Sequence, residues 1–138
     1  MMNVSELSHI FMEFYDKLSS WEHSVVKDSG LSPAQMHTIE VIGHRQNLMM
    51  RELADRLGIT TGSLTVAVDR LEKLRMVERK PHEHDRRAWL VVLTELGKKM
   101  YDQHNKYHEE FTQEISFDLT ANELKTLTKL MARILQRM

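Results

Sequence analysis

Apolar residues recur at three- and four-residue steps through most of this chain and gather into short near-continuous runs in one region only. From Leu7 through Ile10, Phe11, Phe14, Leu18, Trp21, Val25 and Val26 the spacing is that of one helical face, with Ser5 placed to cap it and Gly30 to stop it. Ser32 followed by Pro33 starts a second helix, because proline needs no NH partner in the first turn, and Met36, Ile39, Val41 and Ile42 form its buried face ahead of Gly43. The pattern over 50–57, closed by Gly58, predicts a third helix, and Thr60 begins a fourth that turns Leu64, Ala67, Val68, Leu71 and Leu74 inward. The runs 76–80 and 88–93 then read as strands around the charged, turn-forming tip Pro81, His82, Glu83, His84, Asp85, Arg86. Thr94 caps a fifth helix, and Thr120 with Glu123 forms a capping box for a sixth that bears Leu124, Leu127, Leu130, Met131 and Leu135.

Two short helices joined by a tight turn and followed by a hairpin are the outline of a winged helix-turn-helix over 48–93. The fold class is therefore mainly α with a small β-hairpin, expected as a single winged-helix domain over 1–138. The first and last helices carry apolar residues on more than one face, Phe11, Phe14 and Tyr15 among them. A monomer of 138 residues would struggle to cover them, so 1–30 and 95–138 are expected to build a homodimer.

Composition narrows the classes. With 41% hydrophobic residues the chain supports one core. It has no cysteine, which removes disulfides, thiolate metal sites and thiol-based peroxide sensing. No stretch approaches the roughly 18 apolar residues a membrane span needs, so a cytoplasmic location is expected. Lys and Arg total 19 against 20 Asp and Glu, a balance that decides nothing about nucleic acid, since only local charge matters there.

A helix-turn-helix reads DNA by laying its second helix in the major groove, where the amino-terminal residues meet base edges. On the fourth helix the outward set is Thr61, Gly62, Thr65, Val66, Asp69 and Arg70, with Thr60 and Ser63 at its start. Hydroxyls suit phosphates or either base, Val66 suits a thymine methyl, and Gly62 leaves room for a close backbone approach. Arg86 and Arg87 on the hairpin tip suit the minor groove, whereas Asp85 braces an arginine. The competing reading is a winged helix that binds a protein partner and has no DNA affinity.

The succession RELADRLGI, TTGSLTVAVDRLEKL and MVERKPHEHDRRAWLVVLTELGKKM closely resembles the MarR family of bacterial transcription regulators, including the Asp85-x-Arg87 wing and the LT-x-x-G opening of the fifth helix. The resemblance covers essentially the whole chain. It implies a triangular dimer whose two winged modules bind a palindromic operator, often as a repressor released by an effector. MHTIEVIG and HNKYHEEF look most like the subgroup that represses fatty-acid-synthesis genes, which implies an acyl-type effector. The chain departs from the family pattern at three places: Met49 stands where a capping Thr or Ser is usual, Val66 where an Arg often is, and Arg75 where Gly normally ends the recognition helix.

His104 and His108 are four apart on the fifth helix, one above the other, a spacing that can chelate a metal. His37 resembles in position a zinc ligand of the family's zinc-responsive branch, where a carboxylate from the first helix and a His pair on the fifth join it. Glu22 or His23 is the matching fourth donor for a tetrahedral site. The same donors with an open position would make a hydrolytic zinc centre, but no nucleophile motif or phosphate loop accompanies them. The reading reached here is thus a DNA-binding regulator and not an enzyme, with no cofactor required and zinc or a small molecule as effector.

Overall fold

The computed structural model describes residues 3–138, so residues 1 and 2 of the expected amino-terminal span lie outside it. The elements run α1 (Val4–Val26), α2 (Pro33–Arg45), β1 (Leu48–Met49), α3 (Met50–Leu57), α4 (Thr61–Lys73), β2 (Val77–Pro81), β3 (Trp89–Leu93), α5 (Glu95–Ile115) and α6 (Ala121–Leu135). The mainly helical class, with a helix-turn-helix leading into an antiparallel hairpin, is the one the periodicity predicts.

Most helix boundaries follow the predicted caps. Ser32 accepts from the Gln35 NH while the Gln35 amide oxygen accepts from the Ser32 NH, a reciprocal box ahead of Pro33. Thr60 Oγ1 accepts from the Ser63 NH at 3.1 Å, and Thr120 and Glu123 cap each other in the same reciprocal way. Met49 has no hydroxyl to offer, so at α3 only half of such a box forms, with Glu52 Oε1 accepting from the Met49 NH at 3.1 Å. Each cap satisfies NH groups that a helix start otherwise leaves orphaned.

Four details differ from the sequence reading. Asn3, not Ser5, caps α1, accepting from the Glu6 NH, and the helix stops at Val26 because Ser29 folds back onto the Val26 carbonyl through both its NH and its hydroxyl. Gly43 does not end α2, which continues to Arg45; a Cβ on Gly43 would lie 2.4 Å from the Tyr101 ring, so the residue serves close packing. Leu74 is 41% exposed rather than inward, since α4 has already ended at Lys73. The sheet has three strands, ordered β1-β3-β2, and not two. β1 is too short for alternation to reveal.

β3 is the central strand, pairing antiparallel with β2 from Val77↔Leu93 to Pro81↔Trp89 and with β1 at Leu48↔Val91. The chain forms two compact units, one through Gln103 and one from His104 to Met138. In the first, Val26, Met36, Ile39 and Ile42 from the leading helices, Leu53, Leu64, Val68 and Leu71 from the helix-turn-helix, and Val77 and Val91 from the sheet make one buried cluster. In the second, α6 buries none of its residues, and Leu124, Leu127, Leu130 and Leu135 are all exposed.

A compact join links α4, β2 and α5 within the first unit. Arg75 follows α4 with φ +61°, in the left-handed conformation that the family pattern gives to glycine. Its carbonyl accepts from the Thr94 hydroxyl at 2.6 Å, and the Thr94 hydroxyl oxygen in turn accepts from the Gly97 NH at 3.0 Å. A Cβ on Gly97 would fall 1.9 Å from the Met76 carbonyl oxygen, which only glycine avoids.

Candidate nucleic-acid interface

The amphipathic pattern of α4 divides it cleanly. Leu64, Val68 and Leu71 are fully buried, and Thr60, Thr61, Gly62, Ser63, Thr65, Val66 and Arg70 are all exposed on the outer side. Not every hydroxyl there is available as a donor. Thr60 donates to Ser63 Oγ at 3.1 Å and Thr65 donates to the Thr61 carbonyl at 2.9 Å, so both protons are already engaged inside the helix. Val66, 49% exposed, is the large apolar group on this face. Arg70 forms no ion pair among the described residues.

Sequence reasoning missed Arg79. On β2, its guanidinium bonds Asp69 Oδ1 at 2.7 Å, Glu72 and the Thr65 carbonyl, so one side chain ties the wing strand to the outer edge of α4. Partial burial works against its charge, but the hydrogen bonds to Asp69 and Glu72 and their negative charges outweigh that and raise its pKa further. Asp69, expected among the outward residues, is thereby neutralised instead of facing DNA phosphates as a bare carboxylate.

The wing tip is held by backbone bonds between His82 and Ala88 and between Ala88 and Asp85. Asp85 Oδ1 accepts from the Arg87 NH at 3.0 Å and lies 3.8 Å from its guanidinium, the bracing role expected of it. Arg86 and Arg87 are exposed, and such a loose surface pair leaves Arg87 free to reach outward.

A cavity of about 240 Å³ opens in the same unit where α2 ends and α5 begins. Ile42, Val92 and Leu93 give it an apolar lining, and Gln46, Asn47, Lys98, Tyr101 and Asp102 supply polar groups. Gln46 and Asn47 both have positive φ, 48° and 55°, in the two-residue link that must turn from α2 into β1. Tyr101 hydroxyl and His44 Nδ1 are 3.1 Å apart at its edge.

The candidate metal donors fall into two pairs, one in each unit, and the first joins a predicted residue, Glu22, to one that sequence reasoning missed, Glu40. In the first unit the Glu22 and Glu40 carboxylate oxygens lie within 4.8 Å of each other. Burial, and after it the Glu22 charge, pushes the Glu40 carboxyl up to about 7. His37 is exposed on α2 and stands outside that pair; it is Glu40, one turn further on, that meets Glu22. In the second unit the Nε2 atoms of His104 and His108 are 3.1 Å apart, with His104 buried. Two nitrogens bound to one zinc at a near-tetrahedral angle lie about 3.3 Å apart, so this spacing fits a chelate.

Comparison with known proteins agrees with this geometry. The model for the MarR family matches residues 29–88. The multiple antibiotic resistance protein MarR of Escherichia coli is 38% identical over 85 residues, 61% of this chain and 59% of that protein. A mutant of the same protein superposes with TM-score 0.74 at 29% identity, covering 98% of each chain. Over residues 29–88 this chain matches the MarR family. Another relative, the HTH-type transcriptional regulator MhqR of Bacillus subtilis, is 24% identical over 128 residues, 93% of this chain and 86% of that protein. The structure of Streptococcus pneumoniae FabT in complex with DNA gives TM-score 0.85 at 22% identity, covering 97% of this chain and 96% of that one, a likeness of fold. The chain is accordingly a DNA-binding transcriptional regulator similar to those of the MarR family, and its relatives are regulators, not enzymes. Among its described residues no helix is long and apolar enough to cross a membrane.

Proposed function

We propose that this protein is a homodimeric, cytoplasmic repressor of the MarR type that binds a palindromic operator and is tuned by an effector. The observation that carries the DNA-contact assignment is the exposed outer side of α4, from Thr60 to Arg70, in the same compact unit as an exposed Arg86–Arg87 wing tip. Thr60, Thr61, Gly62, Ser63, Thr65, Val66 and Arg70 face the major groove, and Arg86 and Arg87 enter the minor groove beside it. Support for the dimer is the uncovered apolar face of α6 and of the first half of α1, where Leu7, Ile10, Phe11 and Phe14 are exposed. The spans 1–30 and 95–138 serve that dimer, and 48–93 serves DNA.

A gel-shift titration on the promoter DNA of its own transcription unit tests this. Binding is expected to fall steeply with salt, and Arg87→Ala is expected to bind more weakly and to reduce the salt slope by about one, with folding unchanged. Salt-independent binding, or an Arg87→Ala protein that binds like the parent, contradicts the assignment.

The effector site has two supports. The α2–α5 cavity is smaller than the roughly 300–1,000 Å³ of common ligand pockets, which favours a small molecule over a long acyl chain at that place. The His104–His108 spacing supports zinc, with oxygen donors completing the tetrahedron. Equilibrium dialysis should then find stoichiometric zinc on the parent protein and much less on His108→Ala, whose half-buried position spares the core. Absence of zinc from the parent protein ends the metal reading and leaves the DNA reading intact.

A further inference from the structure

Helix α4 carries a glycine that nothing inside the protein requires. Gly62 stands in the first turn with no positive φ, and a methyl group built on it would meet only Thr60 Oγ1 at 3.9 Å, an ordinary contact. Gly43 and Gly97 differ, because a Cβ at either would collide with Tyr101 or with the Met76 carbonyl. Alanine at 62 would make a firmer helix, since glycine is the poorest ordinary helix former after proline. The space at 62 therefore serves something outside the chain.

One turn on, at i+4 and on the same face, stands the exposed Val66. Of its polar neighbours, the Thr60 and Thr65 protons have internal acceptors and Asp69 is bound by Arg79, while the Thr61 and Ser63 hydroxyls flank position 62. What remains between them is a strip with a gap at 62 and two methyl groups at 66. On a major-groove edge the thymine 5-methyl is the apolar feature that such a strip can contact.

We infer that Gly62 and Val66 form a notch that receives a thymine 5-methyl group, so that each operator half-site carries an A·T pair there with its thymine toward α4. This rests on the reading of α4 as the helix that enters the major groove. Gly62 sets how closely the helix approaches, and Val66 supplies the contact. Hydrogen bonding contributes little to base choice at this step, which distinguishes the notch from an arginine reading guanine.

The experiment starts from the duplex that the wild-type protein selects out of a randomised pool. Each thymine in turn is replaced by deoxyuridine, which removes only the methyl group, and binding is measured by fluorescence anisotropy at fixed salt. At one position the wild type should lose about fourfold in affinity, the worth of one buried methyl. Val66→Ala should bind the thymine and deoxyuridine duplexes equally at that position. Gly62→Ala should bind about tenfold more weakly, from overpacking against DNA, while its thermal midpoint stays level or rises. If no deoxyuridine matters, if Val66→Ala loses as much as wild type, or if Gly62→Ala binds at full strength, the notch is refuted while DNA binding stands. A pool from which nothing is enriched refutes the DNA reading and the notch together.

Discussion

Arg75 occupies the left-handed position after α4 with a side chain that favours other conformations. That strain is about 1 kcal/mol, and Arg75→Gly relieves it at the expense of a more flexible unfolded chain. The variant is expected to gain up to about 1 kcal/mol in denaturant unfolding, with DNA affinity unchanged because the side chain lies past the reading face. Arg75 is legible from the sequence because a residue stands where the motif asks for glycine. His37 is the opposite case: its type and helix were readable, but whether it or Glu40 meets Glu22 depends on how α1 and α2 cross, which the turn after Val26 sets and periodicity does not encode.

Among elements, the helices and the β2–β3 hairpin were readable because each repeats its apolar residues at its own period and is closed by capping residues. β1 was not, since two residues carry no period; only pairing with β3 makes Leu48 and Met49 a strand. The α4 surface was readable for the same periodic reason, and the Arg79 clamp was not, because its partners lie seven and ten residues away on a different element. That clamp ties the wing strand to the outer edge of α4. Arg79→Ala is expected to lower stability by about 1–2 kcal/mol, as it leaves Asp69 and Glu72 without their cation. Operator affinity should fall by about tenfold as the wing loosens and Asp69 turns its charge toward phosphate. Hydrogen exchange should show the β2 amides less protected while α2 is unaffected; unchanged exchange in β2 would mean the clamp is ornamental.

At the scale of the whole molecule, the chain has more apolar surface than its own core uses. Leu127 and Leu130 of α6 are each 45% exposed in a helix that buries nothing. An exposed apolar surface of this kind marks a site of interaction with another surface. Leu127→Asp with Leu130→Asp is expected to yield a monomer by sedimentation velocity, with the circular dichroism of the first unit retained. Operator affinity should drop by several orders of magnitude, since two linked half-sites bind far more tightly than one. A double variant that remains dimeric would place the interface elsewhere. The exposed leucines were legible as a helix with too much apolar surface; which residues oppose them was not, because apolar periodicity marks a face and not the register in which a second face meets it.

The join at Thr94 and Gly97 bears on where this protein is divisible. Thr94 closes on Arg75, and Gly97 lets α5 lie against the Met76 carbonyl. The first turn of α5 is thus a wall of the winged-helix head and not a connector leaving it. A transplant of the head onto another regulator that cut the chain after β3 would strip the seal from Met76 and graft a damaged part, whereas a cut beyond Gln103 would carry the wall along with it.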